Sequence, residues 1–259
     1  EEASKPAVVM HAGETYAFLG FCDWREEHVG WCPFATESTP GVNPMFDDYV
    51  VSEVSKYAKT YDHVIVLPHW GKEYLLWPKP EIVKISKKML NAGAELIFGS
   101  HSHCVQPICQ KTNKAVAYSM GNFLFPDRLI TKPRSTYYPH PSLDISSLPQ
   151  TDGDTYVEEP NFKKWKPIAR YGMMIFCSLS QNCCSIDCVY TSLTRQNEVV
   201  LEKLPSKTKR TLKMINILLE YSPYTFVFHV RMLFSRIYHK ILRIIKRPTL
   251  LLKNHSKNK

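Results

Sequence analysis

The chain has 259 residues, enough for one large domain or for one domain with an appendage. Hydrophobic residues make up 44% and charged residues 22%, which excludes wholesale disorder, and only 10 Gly and 18 Pro exclude a collagen-like chain. The net charge of +9 arises at one end, because residues 203–259 contain 14 Lys or Arg and one acid, whereas residues 1–202 carry a net charge of −4. This asymmetry predicts an anionic partner for the C-terminal segment, either a membrane surface or a nucleic acid.

Several segment types are not found in the sequence. It contains no run of about 18 apolar residues that would predict a transmembrane helix, and no basic-then-apolar signal segment. Because the first residue is Glu1, we expect the natural N-terminus to lie upstream, removed by processing or truncation. The 8 cysteines form no CxxC pair, so we expect free thiols rather than a zinc ribbon or a disulfide scaffold.

Hydrophobic periodicity predicts alternating strands and helices. In chain order these are a hairpin (7–10 and 16–22), a loop (23–44), a helix (46–59), a strand (63–67), a helix (80–92), strands (94–98 and 115–119), a long loop or lid (126–169), two further strands (171–180 and 184–194) and a broken helical segment (206–247). The alternation indicates an α/β fold whose sheet is covered by helices. Active sites in such folds lie at the carboxyl ends of the strands.

Three histidines follow strand ends. His69 comes just after the predicted strand 63–67, and His101 and His103 follow the strand 94–98. Two adjacent strands of one sheet would bring these imidazoles together, and neutral imidazole is a common ligand for Zn, Mn or Fe. The spacing is compatible with a divalent metal site and equally with three surface or structural histidines.

Three blocks resemble the CapA/PgsA family of bacterial capsule synthesis proteins, which belongs to the calcineurin-like metallophosphoesterase superfamily. They are VIVLPHWGKEY (64–74), LNAGAELIFGSHSHCVQP (90–107) and AYSMGNFLF (117–125), in the order that is usual in that family. The resemblance implies an α/β fold that is part of a four-layer metallophosphoesterase-like sandwich, and a role in poly-γ-glutamate or related capsules.

The same resemblance implies roles for individual residues. It places His69 and His101 on one metal ion and His103 on a second. It places Asn122 beside the site as a catalytic residue, together with Ser119, although Gly121 and Asn122 would equally serve to shape a turn. Glu73 would be a catalytic or orienting carboxylate, or else a solvated glutamate.

Other parts of the family pattern are absent from this chain. We find no opening GD motif, no NLE block and no NNH block, which in the superfamily complete the two-metal centre. Ser100 and Ser102 stand where the family often has His and Pro. The resemblance therefore implies a sheet without its first strands and an incomplete metal site, in a fragment or in a chain completed by another polypeptide.

The C-terminal segment has an amphipathic pattern. Over residues 230–247, basic and apolar residues fall on opposite faces of a helix. This pattern suits an anionic membrane surface, and it suits equally a helix packed on the protein body. No aromatic stacking pattern or zinc motif favours nucleic acid. We expect two domains, a CapA-like domain over residues 1–204 and a basic helical tail over residues 205–259.

Two functional hypotheses remain open at this point. The first is a metal-dependent hydrolase that acts on a phosphoester or on an anionic polymer such as polyglutamate. The second is a non-catalytic, membrane-associated component of capsule assembly. Both imply the cell envelope and other capsule synthesis proteins as partners, although the sequence itself does not exclude the cytoplasm.

Overall fold

The computed structural model describes residues 2–23, 34–124, 128–131, 135–137, 161–163, 166–180, 183–194, 196, 198–220 and 223–255. Its strands are β1 (Ala7–His11), β2 (Glu14–Cys22), β3 (His63–His69), β4 (Leu96–Phe98), β5 (Ile108–Lys111), β6 (Lys114–Ala117), β7 (Arg128–Thr131), β8 (Ser135–Tyr137), β9 (Asn161–Lys163), β10 (Tyr171–Ser180), β11 (Cys183–Leu193) and β12 (Val199–Leu201). Its α-helices are α1 (Asp47–Tyr57), α2 (Pro80–Ala92), α3 (Ser206–Glu220) and α4 (Tyr224–His255).

The first sheet has six strands in the order β1-β2-β3-β4-β6-β5. Its four central strands, β2, β3, β4 and β6, run parallel to one another, and β1 and β5 pair antiparallel at the two edges. The β-branched run of β3 is buried because this strand lies inside the sheet, between β2 and β4. The carboxyl ends of the four parallel strands therefore meet at one edge of the sheet.

The first sheet is covered on both faces. Ile65, Leu96 and Ala115 pack against Cys184 of the second sheet, β10-β11-β12. Because side chains alternate along a strand, Val64 points to the opposite face, where the paired helices α1 and α2 contribute buried side chains. Helices, first sheet and second sheet form three successive layers, which confirms the predicted α/β class and is consistent with a metallophosphoesterase-like fold.

Most predicted elements are confirmed with shifted ends, but some predictions were wrong. Strand β3 extends to His69 rather than ending at 67, because its pairing with β2 continues to Cys22. Strands β5 and β12 were missed, and three short strands, β7, β8 and β9, lie in the segment predicted as a loop. These strands are only three or four residues long, too short for a periodic pattern to show. Parts of the predicted loops, residues 24–33 and 138–160, lie outside the described residues.

The C-terminal segment is helical, as expected, and its break lies between α3 and α4. Helix α4 ends at His255, eight residues beyond the predicted end at 247. The chain divides into two compact units, Glu1–Asn216 and Ile217–Lys259. In the first unit, Leu212 of α3 packs with Val105, Ala117 and Met173. The boundary expected between 204 and 205 stays a prediction.

Two further expectations concern the cysteines and membrane spans. Within the described ranges, no disulfide is formed by Cys22, Cys104, Cys109, Cys177, Cys184 or Cys188, as predicted. Cys32 and the Cys183 side chain lie outside what the structure describes. In the described part of the chain, no helix is both long enough and apolar enough to cross a bilayer.

A buried ionisable cluster lies at the amino end of β3, opposite the edge where the strands end. His63 is 1% exposed, and its Nδ1 and Nε2 lie 2.7 Å and 3.3 Å from carboxylate oxygens of Glu95 and Glu14. Its ring stacks on Tyr16 with centroids 4.6 Å apart. Burial lowers the pKa of His63, but the two carboxylates outweigh burial and leave this pKa raised above its ordinary value.

This raised pKa predicts a pH-dependent stability. The contribution of protonated His63 is fully present below about pH 6.5, the ordinary value, and is lost as the pH rises through the higher folded-state pKa. The difference in unfolding free energy between wild type and His63→Gln should therefore be larger at pH 6 than at pH 9, by on the order of 1 kcal/mol. Urea unfolding at the two pH values measures it.

The matched control for this experiment is His11→Gln, since His11 is an exposed histidine on β1. This control should change the unfolding free energy little, because surface substitutions of this kind have small effects. A pH-independent effect of His63→Gln would contradict the charged pairing of His63.

Candidate metal site

The three candidate histidines lie together at the carboxyl edge of the first sheet. His69 is the last residue of β3 and forms a parallel bridge with Ser100, two residues after the end of β4. The ring centroids of His69 and His101 are 4.6 Å apart, and those of His101 and His103 are 6.3 Å apart. The sequence prediction that two adjacent strands bring these side chains together agrees with this geometry.

Behind the histidines, the backbone at Gly99, just after β4, lies very close to Trp70 and to the Tyr118 carbonyl, and this contact holds the end of β4 in place. A Cβ on Gly99 would lie 2.1 Å from the carbonyl oxygen of Tyr118 and 2.3 Å from Nε1 of Trp70, so only glycine fits here. Buried Trp70 donates its Nε1–H to the same Tyr118 carbonyl at 2.8 Å. Trp70 of the first motif block and Gly99 of the second therefore hold β3, β4 and β6 together beneath the site.

Hydrogen bonds determine which nitrogen of two imidazoles carries the lone pair. Asn122 is buried and donates its Nδ2–H to the Ala169 carbonyl at 2.8 Å, so its Oδ1 accepts from His103 Nδ1–H at 2.9 Å. The Ser100 hydroxyl donates to the Pro68 carbonyl and accepts from His69 Nδ1–H at 3.2 Å. In the neutral rings of His69 and His103 the lone pair is then on Nε2, one of the two ring nitrogens through which histidine binds metals.

The backbone of the histidine loop is strained. His101 and His103 have φ values of +83° and +52°, in the left-handed region that costs a non-glycine residue about 1–3 kcal/mol. Tyr74, in the neighbouring loop, also has a positive φ of 58°, and its N–H donates to the Ser102 carbonyl at 2.7 Å. Strain of this kind persists where the surrounding contacts hold the loop, and it concentrates at functional sites.

The surroundings of the site combine polar and positively charged groups. The Tyr74 ring stacks on His103 with centroids 5.9 Å apart, and Lys166 Nζ lies 4.3 Å from the Tyr74 ring centroid. Burial raises the pKa of the Cys104 thiol to about 11, so Cys104 is protonated at neutral pH and does not offer a thiolate ligand. Among these groups the histidines are therefore the candidate donors for a cation, and Lys166 places a positive charge near them.

The structure shows where the other predicted site residues lie. Asn122 is in the site and orients His103, so it acts on a candidate ligand rather than only shaping the turn. Buried Ser119 accepts a hydrogen bond from Gly121 N–H at 3.3 Å, which supports the turn. Glu73 is exposed and hydrogen-bonds to none of the three histidines among the described residues, so its catalytic role stays a prediction without a supporting contact.

Sequence reasoning missed several residues of the site. Asp23 follows β2 at the same edge, where its N–H donates to the His69 carbonyl and its Oδ2 accepts from Gly71 N–H at 3.3 Å. Ser100 departs from the family pattern, yet its hydroxyl orients His69. Asp23 could have been found from its position directly after β2, the strand that pairs with β3. It was overlooked because residues 23–44 were predicted only as a loop.

The three histidines do not form a complete ligand cluster as they stand. Among the described residues, no three His, Cys, Asp or Glu side chains lie close enough together to hold a metal ion. The site is thus a pair of neighbouring imidazoles, His69 and His101, with an oriented third, His103, further away.

The positive φ of His101 predicts an unusual order of stability. His101→Gly should be more stable than His101→Ala by about 1–2 kcal/mol, because alanine keeps the Cβ that opposes a left-handed conformation. Urea unfolding of the two variants measures the difference.

The matched control is Lys87, an exposed residue inside α2. There the order should reverse, with Lys87→Ala more stable than Lys87→Gly by about 1 kcal/mol. Alanine more stable than glycine at both positions would contradict the strained loop.

Comparison with known proteins finds similarity in the N-terminal part of the chain. Residues 1–127 match the family model described as "Bacterial capsule synthesis protein PGA_cap". The PGA biosynthesis protein CapA of Bacillus subtilis (strain 168) is 35% identical over 113 residues, which is 44% of this chain and 29% of that protein. The capsule biosynthesis protein CapA of Bacillus anthracis is 36% identical over 117 residues, which is 44% of this chain and 28% of that protein.

The matched region thus spans less than a third of the length of these two relatives. Residues 1–127, which the family model matches, contain all three candidate histidines, Asn122 and the strands β1 to β6 that position them. Residues 1–127 of this chain are therefore similar to the bacterial capsule synthesis protein family PGA_cap, the family that its three sequence blocks resemble.

Proposed function

We propose that the chain acts in capsule biosynthesis at the bacterial cell envelope, and that His69, His101 and His103 bind a divalent cation such as Mn, Fe or Zn. The observation that carries the proposal is the convergence of three histidines from two parallel strand ends, with His69 and His101 in ring contact. The names of the two relatives, which refer to PGA and capsule biosynthesis, support the assignment to this process.

The donor chemistry fits such a cation. Hydrogen bonds to Ser100 and Asn122 put the lone pairs of His69 and His103 on Nε2. Two imidazoles on one tetrahedral ion have ring centres about 5 Å apart. The observed centroid distances of 4.6 Å and 6.3 Å bracket this value, so binding all three rings requires His103 to approach His101.

We extend this proposal to hydrolysis of a phosphoester or of an amide-type bond in an anionic polymer such as polyglutamate. A cation at the histidines would supply a Lewis acid for that chemistry. Lys166, beside the Tyr74 ring, would attract an anionic substrate to the same edge of the sheet. Other capsule synthesis proteins are the partners that this process implies.

A second candidate function is a non-catalytic, membrane-associated component of capsule assembly. The observation that favours it is the absence of a three-donor cluster among the residues that the structure describes. In this case the histidines are a structural remnant, and the chain contributes binding surfaces rather than chemistry.

Metal content separates the two candidates. The purified chain, equilibrated with Mn, Fe or Zn and then desalted, should retain close to one ion per chain by elemental mass spectrometry. The double variant His101→Ala/His103→Ala should retain at least about tenfold less, because two of three ligands are removed. A phosphodiesterase assay with bis-p-nitrophenyl phosphate follows on the metal-loaded chain.

The matched control is His11→Ala, which removes an exposed histidine of β1 and should leave the metal content unchanged. Equal metal content in the wild type and the double variant would contradict the proposed site. Retained metal without phosphodiesterase activity would contradict the phosphoester branch of the hydrolase and leave the amide-type bond to be assayed.

A further inference from the structure

Helix α4 presents an exposed apolar stripe. The stripe consists of Phe226, Leu233, Phe234, Ile237 and Tyr238, which are between 45% and 72% exposed. At 3.6 residues per turn these side chains fall within a sector of about 140° around the helix. Five large apolar side chains on one face form a contiguous surface of the kind that marks an interaction site.

The stripe is distinct from the face of α4 that is already covered. Tyr224 and Phe228, both buried, lie on the other side of the same helix, about 160–200° around from Phe226. Packing of the first turns therefore uses a different face and leaves the stripe exposed.

The charge of α4 indicates what covers the stripe. The helix sequence contains seven Lys or Arg and no Asp or Glu. On a helical projection of α4, Arg236 and Lys240 lie along one border of the stripe, beside Leu233. Arg231 lies along the other border, beside Tyr238. Long basic side chains at the borders of an apolar face can extend towards anionic groups while their stems stay among apolar atoms.

We propose that α4 lies flat in the surface of a membrane that contains anionic lipid, with the stripe in the acyl boundary and the basic borders among the headgroups. A second copy of α4 would bring like charges together, which is unfavourable. A nucleic acid would neutralise the charge but has no apolar surface for Phe226, Phe234 and Ile237. An anionic bilayer matches both features of the helix. This proposal rests on the residues of α4 alone and does not depend on metal binding by the histidines.

Vesicle co-sedimentation of the full chain tests the proposal. The chain should bind phosphatidylcholine vesicles that contain phosphatidylglycerol at least about tenfold more tightly than pure phosphatidylcholine vesicles, since each basic residue near an anionic surface contributes about 1 kcal/mol. Phe234→Ser/Ile237→Ser should weaken binding about tenfold or more, because two large apolar side chains no longer insert.

Two further variants separate charge from apolar contact. Arg236→Gln/Lys240→Gln should weaken binding to the anionic vesicles about tenfold and leave binding to neutral vesicles unchanged. Phe176→Ser is the matched control, since Phe176 is exposed on β10, outside α4, and its replacement should change binding by less than twofold. Circular dichroism confirms that each variant keeps the helix content of the wild type.

Three outcomes would overturn the proposal. The first is no binding to either vesicle. The second is binding to anionic vesicles that Phe234→Ser/Ile237→Ser leaves intact, which would indicate charge attraction alone. The third is a concentration-dependent dimer in sedimentation experiments that the same variant abolishes, which would show that a second copy covers the stripe.

Discussion

The parallel pairing of β3 with β4 is the constraint on which the candidate site depends. Ile65 pairs with Leu96 in this ladder, and the alignment continues past β4 to bridge His69 with Ser100. Parallel strands end at the same edge, so residues 31 positions apart meet there with their loops. Gly99 permits the backbone approach that keeps this edge closed. A residue with a Cβ at that position would separate β4 from β6 and displace the histidine loop.

At that edge, hydrogen bonds stabilise the histidine loop, whereas backbone strain destabilises it. Ser100 and Asn122 hold the imidazoles of His69 and His103 in one tautomer. The left-handed conformations of His101 and His103 cost stability, and the loop keeps them because Tyr74 N–H and neighbouring backbone groups hold it. Such an arrangement is expected of a site selected for ligand binding rather than for stability. His63, at the other end of β3, shows the contrasting case of a histidine held by carboxylates as a structural group.

The sequence predicts the outline of the site better than its details. Buried runs such as 63–67 and the helix 80–92 carry strong periodic patterns, and the strand-end rule then places His69 and His101 together. The short strands β5 and β12 carry no such pattern. The buried amide of Asn122 and the role of Ser100 depend on contacts between segments 19 and 31 residues apart, which no local pattern contains. Glu73 matched a motif, yet its backbone position leaves the side chain exposed.

We propose that the histidines at one edge of this sheet bind a metal ion, and histidine-selective NMR during a zinc titration tests this proposal most directly. The Nε2 resonances of His69, His101 and His103 should shift together as zinc is added. His63 and His11, which lie away from that edge, serve as internal references and should not respond. Zinc-induced shifts confined to other histidines, or a shift of only one of the three, would contradict the account.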